Sequence, residues 1–137
     1  MSDETPAELG AEGVVTGVLD DGTLVISAAG EELRSMIHGV SVPVPVPAGY
    51  VEVITRRVPR TGRPLRIRLV PAPPPESPRV QLYYLAWHDK SGPVWRDLAP
   101  VLLSEGVVRV AQQQFPERTA YLDAERAARG RGLGVWS

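Results

Sequence analysis

VVTGVLDDGTLVI, residues 14–26, sets two aliphatic, β-branched stretches around Asp20-Asp21-Gly22-Thr23. Branched side chains favour extended backbone because they pack well on a pleated surface. Between them stand an aspartate that can hydrogen-bond its own turn and a glycine that tolerates positive φ, which is the chemistry of a tight reversal. The stretch predicts a β-hairpin, with strands over 14–19 and 24–27, and a mainly β fold built outward from it.

Working outward, Ala28-Ala29-Gly30-Glu31 predicts a second reversal and LRSMIHGV, residues 33–40, a third strand, so the fold starts as a three-stranded meander. Proline at every second position from Pro43 to Pro47 forbids a central strand and predicts an extended covering loop. A short helix is expected over 49–58. PLRIRLV, 64–70, alternates, with Leu65, Ile67 and Leu69 on one face and Arg66 and Arg68 on the other, the pattern of a half-buried strand. After the stiff loop PAPPPESP, the aromatic RVQLYYLAWH predicts a fifth strand ending at Asp89-Lys90-Ser91-Gly92. Asp97 is placed to cap a helix running to Glu105, with Pro100 in its first turn and Gly106 as its stop. VVRVA follows as a short extended piece. Residues 116–130 predict the clearest helix, with Ala120, Tyr121, Ala124, Ala127 and Ala128 near one face and Glu125 among the residues elsewhere. The expected fold class is mainly β with α, a five-stranded OB-fold barrel with about three helices.

The 137 residues suit one domain, here 12–137, preceded by an acidic tail over 1–11 that carries no apolar periodicity. No apolar run approaches the ~20 residues a membrane span requires, and MSDETPAELGAEG lacks the basic start and apolar middle of a signal peptide, so a cytoplasmic protein with no membrane partner is expected. The absence of cysteine excludes disulfides and thiolate metal sites. A formal net charge of −1 conceals an uneven distribution. Residues 1–32 hold eight acids and no base, whereas 33–79 hold eight arginines against Glu52 and Glu76. Such a block marks either an anionic partner or a solvated face balanced by the acidic segment.

The order VVTGVLDDGTLVI, LRSMIHGVSVP, RVQLYYLAW, DLAPVLLSEGVVRV and YLDAERAARGRGLGVWS resembles the staphylococcal-nuclease-like (thermonuclease) domain over residues 13–137. The segment DLAPVLLSEGVVRV looks like the family's N-x-x-L-x-x-x-G-x-A-x-V, and the closing helix carries A-E-x-x-A and G-L-x-x-W. The resemblance implies a calcium-dependent phosphodiesterase in which two aspartates hold the ion, a glutamate activates water and two arginines stabilise the phosphorane. Hard calcium prefers carboxylate oxygens, and planar guanidinium groups match phosphate oxygens bidentately.

At the positions where the family carries those acids, this chain has Gly22, Ser41 and Val44. A hydroxyl without charged companions holds calcium poorly, and valine can neither take a proton nor orient water. Asp21, one residue out of place, is the only metal candidate, and calcium is expected only if a rearranged nuclease survives. Arg34 and Arg79 stand near the family's two arginine positions, so a phosphate cradle without hydrolysis is one reading of them and ion pairs with Glu31, Glu32 or Glu76 the other. Arg66, Arg68 and Tyr83 are further candidates for contact with phosphate or base. The expected function is a non-catalytic module that binds single-stranded nucleic acid or a nucleotide phosphate. The alternatives are a protein-interaction domain using the proline-rich loops 43–47 and 71–78, and a working phosphodiesterase.

Overall fold

In the computed structural model, which describes residues 12–59, 64–71, 79–88, 90, 92–112 and 114–136, the first hairpin pairs β1 (Glu12–Val18) with β2 (Leu24–Ala28). The alternation seen in the sequence becomes two faces, with Leu24, Ile26 and Ala28 buried and Val25 and Ser27 turned away from the core. The second reversal uses Ala29 and Gly30, both at positive φ, and returns β3 (Glu31–Ser35) along β2.

The third predicted strand does not run unbroken to residue 40. It ends at Ser35, and the chain turns at His38-Gly39 before the two-residue β4 (Val40–Ser41). Gly39 makes this break possible. Its φ is +83°, and a Cβ there would lie 2.6 Å from the Tyr121 ring and 2.9 Å from Phe115. The proline-spaced segment then crosses to α1 (Ala48–Glu52), which widens into one π-type turn, Val53–Arg57, closed by the Val58 N–H bonding the Val53 carbonyl five residues back.

β5 (Leu65–Pro71) buries Leu65, Ile67 and Leu69 as its alternation requires, and lies between β1 and β6 (Val80–His88). The turn after β6 leads into a strand the sequence did not announce, β7 (Gly92–Asp97). Its Gly-Pro start disguises it, yet proline is tolerated because β7 is an edge. The sheet order is β3-β2-β1-β5-β6-β7, with every neighbouring pair antiparallel.

The fold is therefore α+β, dominated by one six-stranded antiparallel sheet. No ladder among the described residues joins β3 to β7 to close it as a barrel. A single parallel bridge, Ile37 with Val80, ties the chain beyond β3 to the start of β6.

Asp97 ends β7 and accepts a hydrogen bond from Ala99 N–H at 3.2 Å, starting α2 (Ala99–Ser104), which Gly106 stops at φ +75°. β8 (Arg109–Val110) pairs with β4, and α3 (Arg118–Gly130) packs on α2. The buried face of α3 differs from the expected one: Ala120 and Ala127 are exposed, and Glu125 is buried with Tyr121 and Ala128. The Glu125 side-chain oxygen accepts the Val110 N–H at 2.8 Å, so a buried polar group serves a backbone group that the two-residue β8 leaves open. Between sheet and helices, Leu24, Ile26, Ile37, Ile54, Ile67, Leu82, Leu98, Leu102 and Leu103 form one fully buried core, each side chain contributing about 1.5–3 kcal/mol. No helix of the described residues is long and apolar enough to cross a membrane.

Candidate functional site

The β1–β2 turn is fastened from three sides. Gly22 N–H bonds the Leu19 carbonyl at 3.0 Å, and Thr23 N–H donates to Asp21 Oδ1 at 2.9 Å. From α1, the buried Tyr50 hydroxyl donates to the Gly22 carbonyl at 2.7 Å. Burial, with the Asp21 charge nearby, pushes the Tyr50 phenol above its ordinary value, so it remains a donor at any moderate pH. Thr23, through its hydroxyl and its N–H, holds the exposed Asp21 carboxyl below its usual range.

The structure does bring the turn and the segment after β4 together, but through apolar contact. A Cβ at Gly22 would sit 2.7 Å from Val42 Cγ1, so the valine methyl groups fill the place where a side chain at 22 would stand. Ser41 is exposed on β4 and pairs with Arg109, while Val44 is 75% exposed. Among the described residues no group of three or more histidine, aspartate or glutamate side chains is arranged to hold a metal ion. Calcium needs six to eight oxygens, several of them charged. The carboxylates at this turn, the exposed Asp20 and the exposed Asp21 already bonded to Thr23, do not fit that ion.

Of the arginine candidates, Arg34, Arg66 and Arg68 share the solvent face of the sheet and Arg79 does not. The face follows from register, since Glu32, Ser27, Val14 and Arg66 are successive cross-strand partners from β3 to β5. Arg34 pairs with Glu32 at 3.4 Å, both side chains about 60% exposed. Arg66 pairs with Glu12, and Arg68 lies 4.0 Å from the same carboxylate with its guanidinium 5.0 Å from the centre of the Trp95 ring. The Arg68 Nε is buried without a hydrogen-bond partner.

Arg79 acts on the chain itself, its Nη1 donating to the carbonyls of Ile37 at 3.2 Å and Val40 at 2.8 Å. It thus holds the broken third segment against β6, beside the Ile37–Val80 bridge. Arg79→Ala is expected to destabilise the fold by about 2 kcal/mol, as loss of charge-assisted bonds to buried carbonyls does. Arg34→Ala removes only an exposed ion pair and should change stability by less than about 0.5 kcal/mol. Thermal denaturation of the two variants side by side checks this; equal midpoints would show that the Arg79 bonds carry no load.

Tyr83 is 5% exposed, so its ring offers no stacking surface, correcting its candidacy. Loop 43–47 is strand-free as expected, whereas 72–78 of the second proline-rich loop lie outside the described residues. Sequence reasoning missed two features. One is a buried polar cluster in which Tyr121 O–H donates to Asp97 Oδ2 at 2.6 Å, with His38 Nε2 3.1 Å from Glu117 Oε1 and Phe115 between the rings of His38 and Tyr121. The other is a cleft lined by Arg57, Tyr84 and Arg96. Only the adjacency of Trp95 and Arg96 to the aromatic β6 signalled the second, and it becomes visible once β7 is known to be a strand. The chain matches no known family model, and no curated protein matches it.

Proposed function

We propose that this chain is a non-catalytic module with a nuclease-like, partly open OB-type barrel, which binds single-stranded nucleic acid or a nucleotide phosphate on the solvent face of its sheet. Support for the barrel comes from the meander order and from the parallel Ile37–Val80 bridge, which ties the chain just beyond β3, one edge of the sheet, to the start of β6, next to the other edge. The observation that carries the binding reading is the grouping of Arg34, Arg66 and Arg68 on one face beside Trp95. Glu12 is the carboxylate shared by Arg66 and Arg68, so a phosphate that displaces it gains two guanidinium groups at once. Trp95, partly buried beneath Arg68, supplies a flat ring of the kind on which bases stack once the guanidinium moves aside. The Val42 methyls over Gly22 and the exposed Ser41 and Val44 favour binding over hydrolysis.

A second reading, docking of another protein, draws on the exposed Val44 within the proline-spaced loop 43–47, whose stiff chain loses little entropy on binding. Anisotropy of a labelled oligothymidylate across a salt series separates the two. Binding at low salt should weaken about tenfold or more in the Arg66→Ala, Arg68→Ala double variant, and the slope of log K against log salt should fall by about 1.4, the value for two lost phosphate contacts on a single strand. No binding at low salt, or an unchanged slope, removes the nucleic-acid reading.

A further inference from the structure

A cleft of about 480 Å³ opens between the π-type turn after α1 and the β6–β7 hairpin, lined by Arg57, Val58, Pro59, Tyr84, Leu85, Ala86 and Arg96. This is within the range of small-ligand sites. It belongs neither to the β1–β2 turn nor to the arginine group on the sheet's solvent face. Its charge is unbalanced. Arg57 is held by Glu105 at 2.5 Å, while Arg96, directly across from Tyr84 in the β6–β7 ladder, makes no ion pair among the described residues.

The Tyr84 hydroxyl likewise has no hydrogen-bond partner among the described residues, although the side chain is half-buried. Tyr84 and Arg96 are cross-strand partners on one face and line the same cleft, so guanidinium and phenol can act on one ligand; burial raises the phenol and the Arg96 charge lowers it. The wall is completed by the aliphatic Val58, Pro59 and Ala86, with Leu85 contributing from the β6 backbone between Tyr84 and Ala86. The backbone feature that carries Arg57 to this wall is the π-type turn Val53–Arg57, a wide turn that recurs at functional sites.

We propose that this cleft binds an organic phosphate monoester. Its phosphate lies between Arg96 and Arg57, with the Tyr84 hydroxyl donating to a third oxygen and its apolar or planar body against Val58, Pro59 and Ala86. Two guanidinium groups and one phenol match the three terminal oxygens of a monoester better than the two of a carboxylate. An uncharged ligand of the same shape would leave Arg96 unanswered.

Calorimetry at low salt with adenosine 5′-monophosphate and with phenyl phosphate tests the proposal, using adenosine, benzoate and orthophosphate as comparators. Both esters should bind, adenosine should not, and benzoate and orthophosphate should bind at least about fivefold more weakly than phenyl phosphate. Binding of adenosine 5′-monophosphate alone would assign the site to nucleotides, and equal binding of both esters to phosphate monoesters in general; either supports it. Arg96→Gln, a change on an exposed edge-strand side chain, should weaken ester binding about tenfold, equivalent to ~1.4 kcal/mol, and Tyr84→Phe should weaken it about threefold. No heat with either ester, or unchanged affinity in Arg96→Gln with an unchanged melting temperature, overturns the proposal. The site does not rest on the oligonucleotide reading. Loss of ester binding in the Arg66→Ala, Arg68→Ala variant but not in Arg96→Gln would move the phosphate to the sheet face, overturning this inference and leaving that one standing.

Discussion

Gly22→Asp, which places a carboxylate where the nuclease-like pattern has one, is expected to destabilise the protein by about 3 kcal/mol and to create no calcium site. Three effects add. At φ +92° the backbone is outside the range an aspartate readily adopts, and a non-glycine residue there costs about 1–2 kcal/mol. The new Cβ meets Val42 Cγ1 at 2.7 Å and Val42 Cβ at 3.1 Å, an overpacking of the kind that costs about 1–3 kcal/mol. Finally, the position is buried, and the charge enters beside valine methyl groups while the Tyr50 bond to the residue 22 carbonyl is disturbed. For a chain of this length the melting temperature should fall on the order of 10 °C.

Trimming the neighbour in Gly22→Asp, Val42→Ala should recover the overpacking part and leave the backbone strain. Thermal melts with and without calcium give the answer. A Gly22→Asp protein that melts within about 2 °C of wild type, or that calcium stabilises, would mean that the turn is an acid site awaiting one residue. It would also undo the case that the turn is locked in an apolar arrangement.

That lock shows where sequence reading succeeds and where it stops. Hairpin β1–β2, strand β5 and the capped α2 were legible because each is specified locally, by alternation, by Asp-Gly turn chemistry or by an aspartate two residues ahead of a helix. β7 was not, since Gly92-Pro93 resembles loop and its pairing with β6 is decided by the partner strand. Glu125 was assigned to solvent by helical periodicity, which cannot register that a short β8 leaves Val110 N–H in need of an acceptor. The candidate site divides the same way. Arg66 and Arg68 were placed on one face by simple alternation, whereas the bonds from Arg79 run to backbone carbonyls of residues some forty positions away and leave no trace in residue type.

Asp97→Asn should reverse sign with pH, less stable than wild type near pH 4 and more stable near pH 8. Desolvation, the largest influence, pushes the Asp97 carboxyl from 3.8 up to about 6. Hydrogen bonds from Tyr121 and Ala99 and the His38 ring work against the rise, and the Glu117 charge adds to it. Because the folded value lies above the unfolded one, the unfolded chain releases this proton first. The stability linked to the protonated carboxyl is therefore complete below pH ~4 and is lost as pH climbs through 6, by an amount on the order of 3 kcal/mol.

Asparagine carries no charge to desolvate, so the contribution of position 97 is flat across that window. It has one carbonyl oxygen where the carboxylate uses two, Oδ1 for Ala99 N–H and Oδ2 for Tyr121 O–H, and so gives up about 1 kcal/mol of hydrogen bonding at every pH. The difference between the two proteins reports Asp97 together with its coupling to Glu117 and His38, because the titrating groups away from it are common to both. Urea unfolding at pH 4, 5, 6, 7 and 8 should give a difference that rises from about −0.5 toward about +2 kcal/mol in favour of the variant, most of it between pH 4 and 6 and level above about pH 7. A difference that stays constant over this range would mean that the carboxyl is hydrated in the folded state, and that the bond between Tyr121 and Asp97 closes nothing off from water.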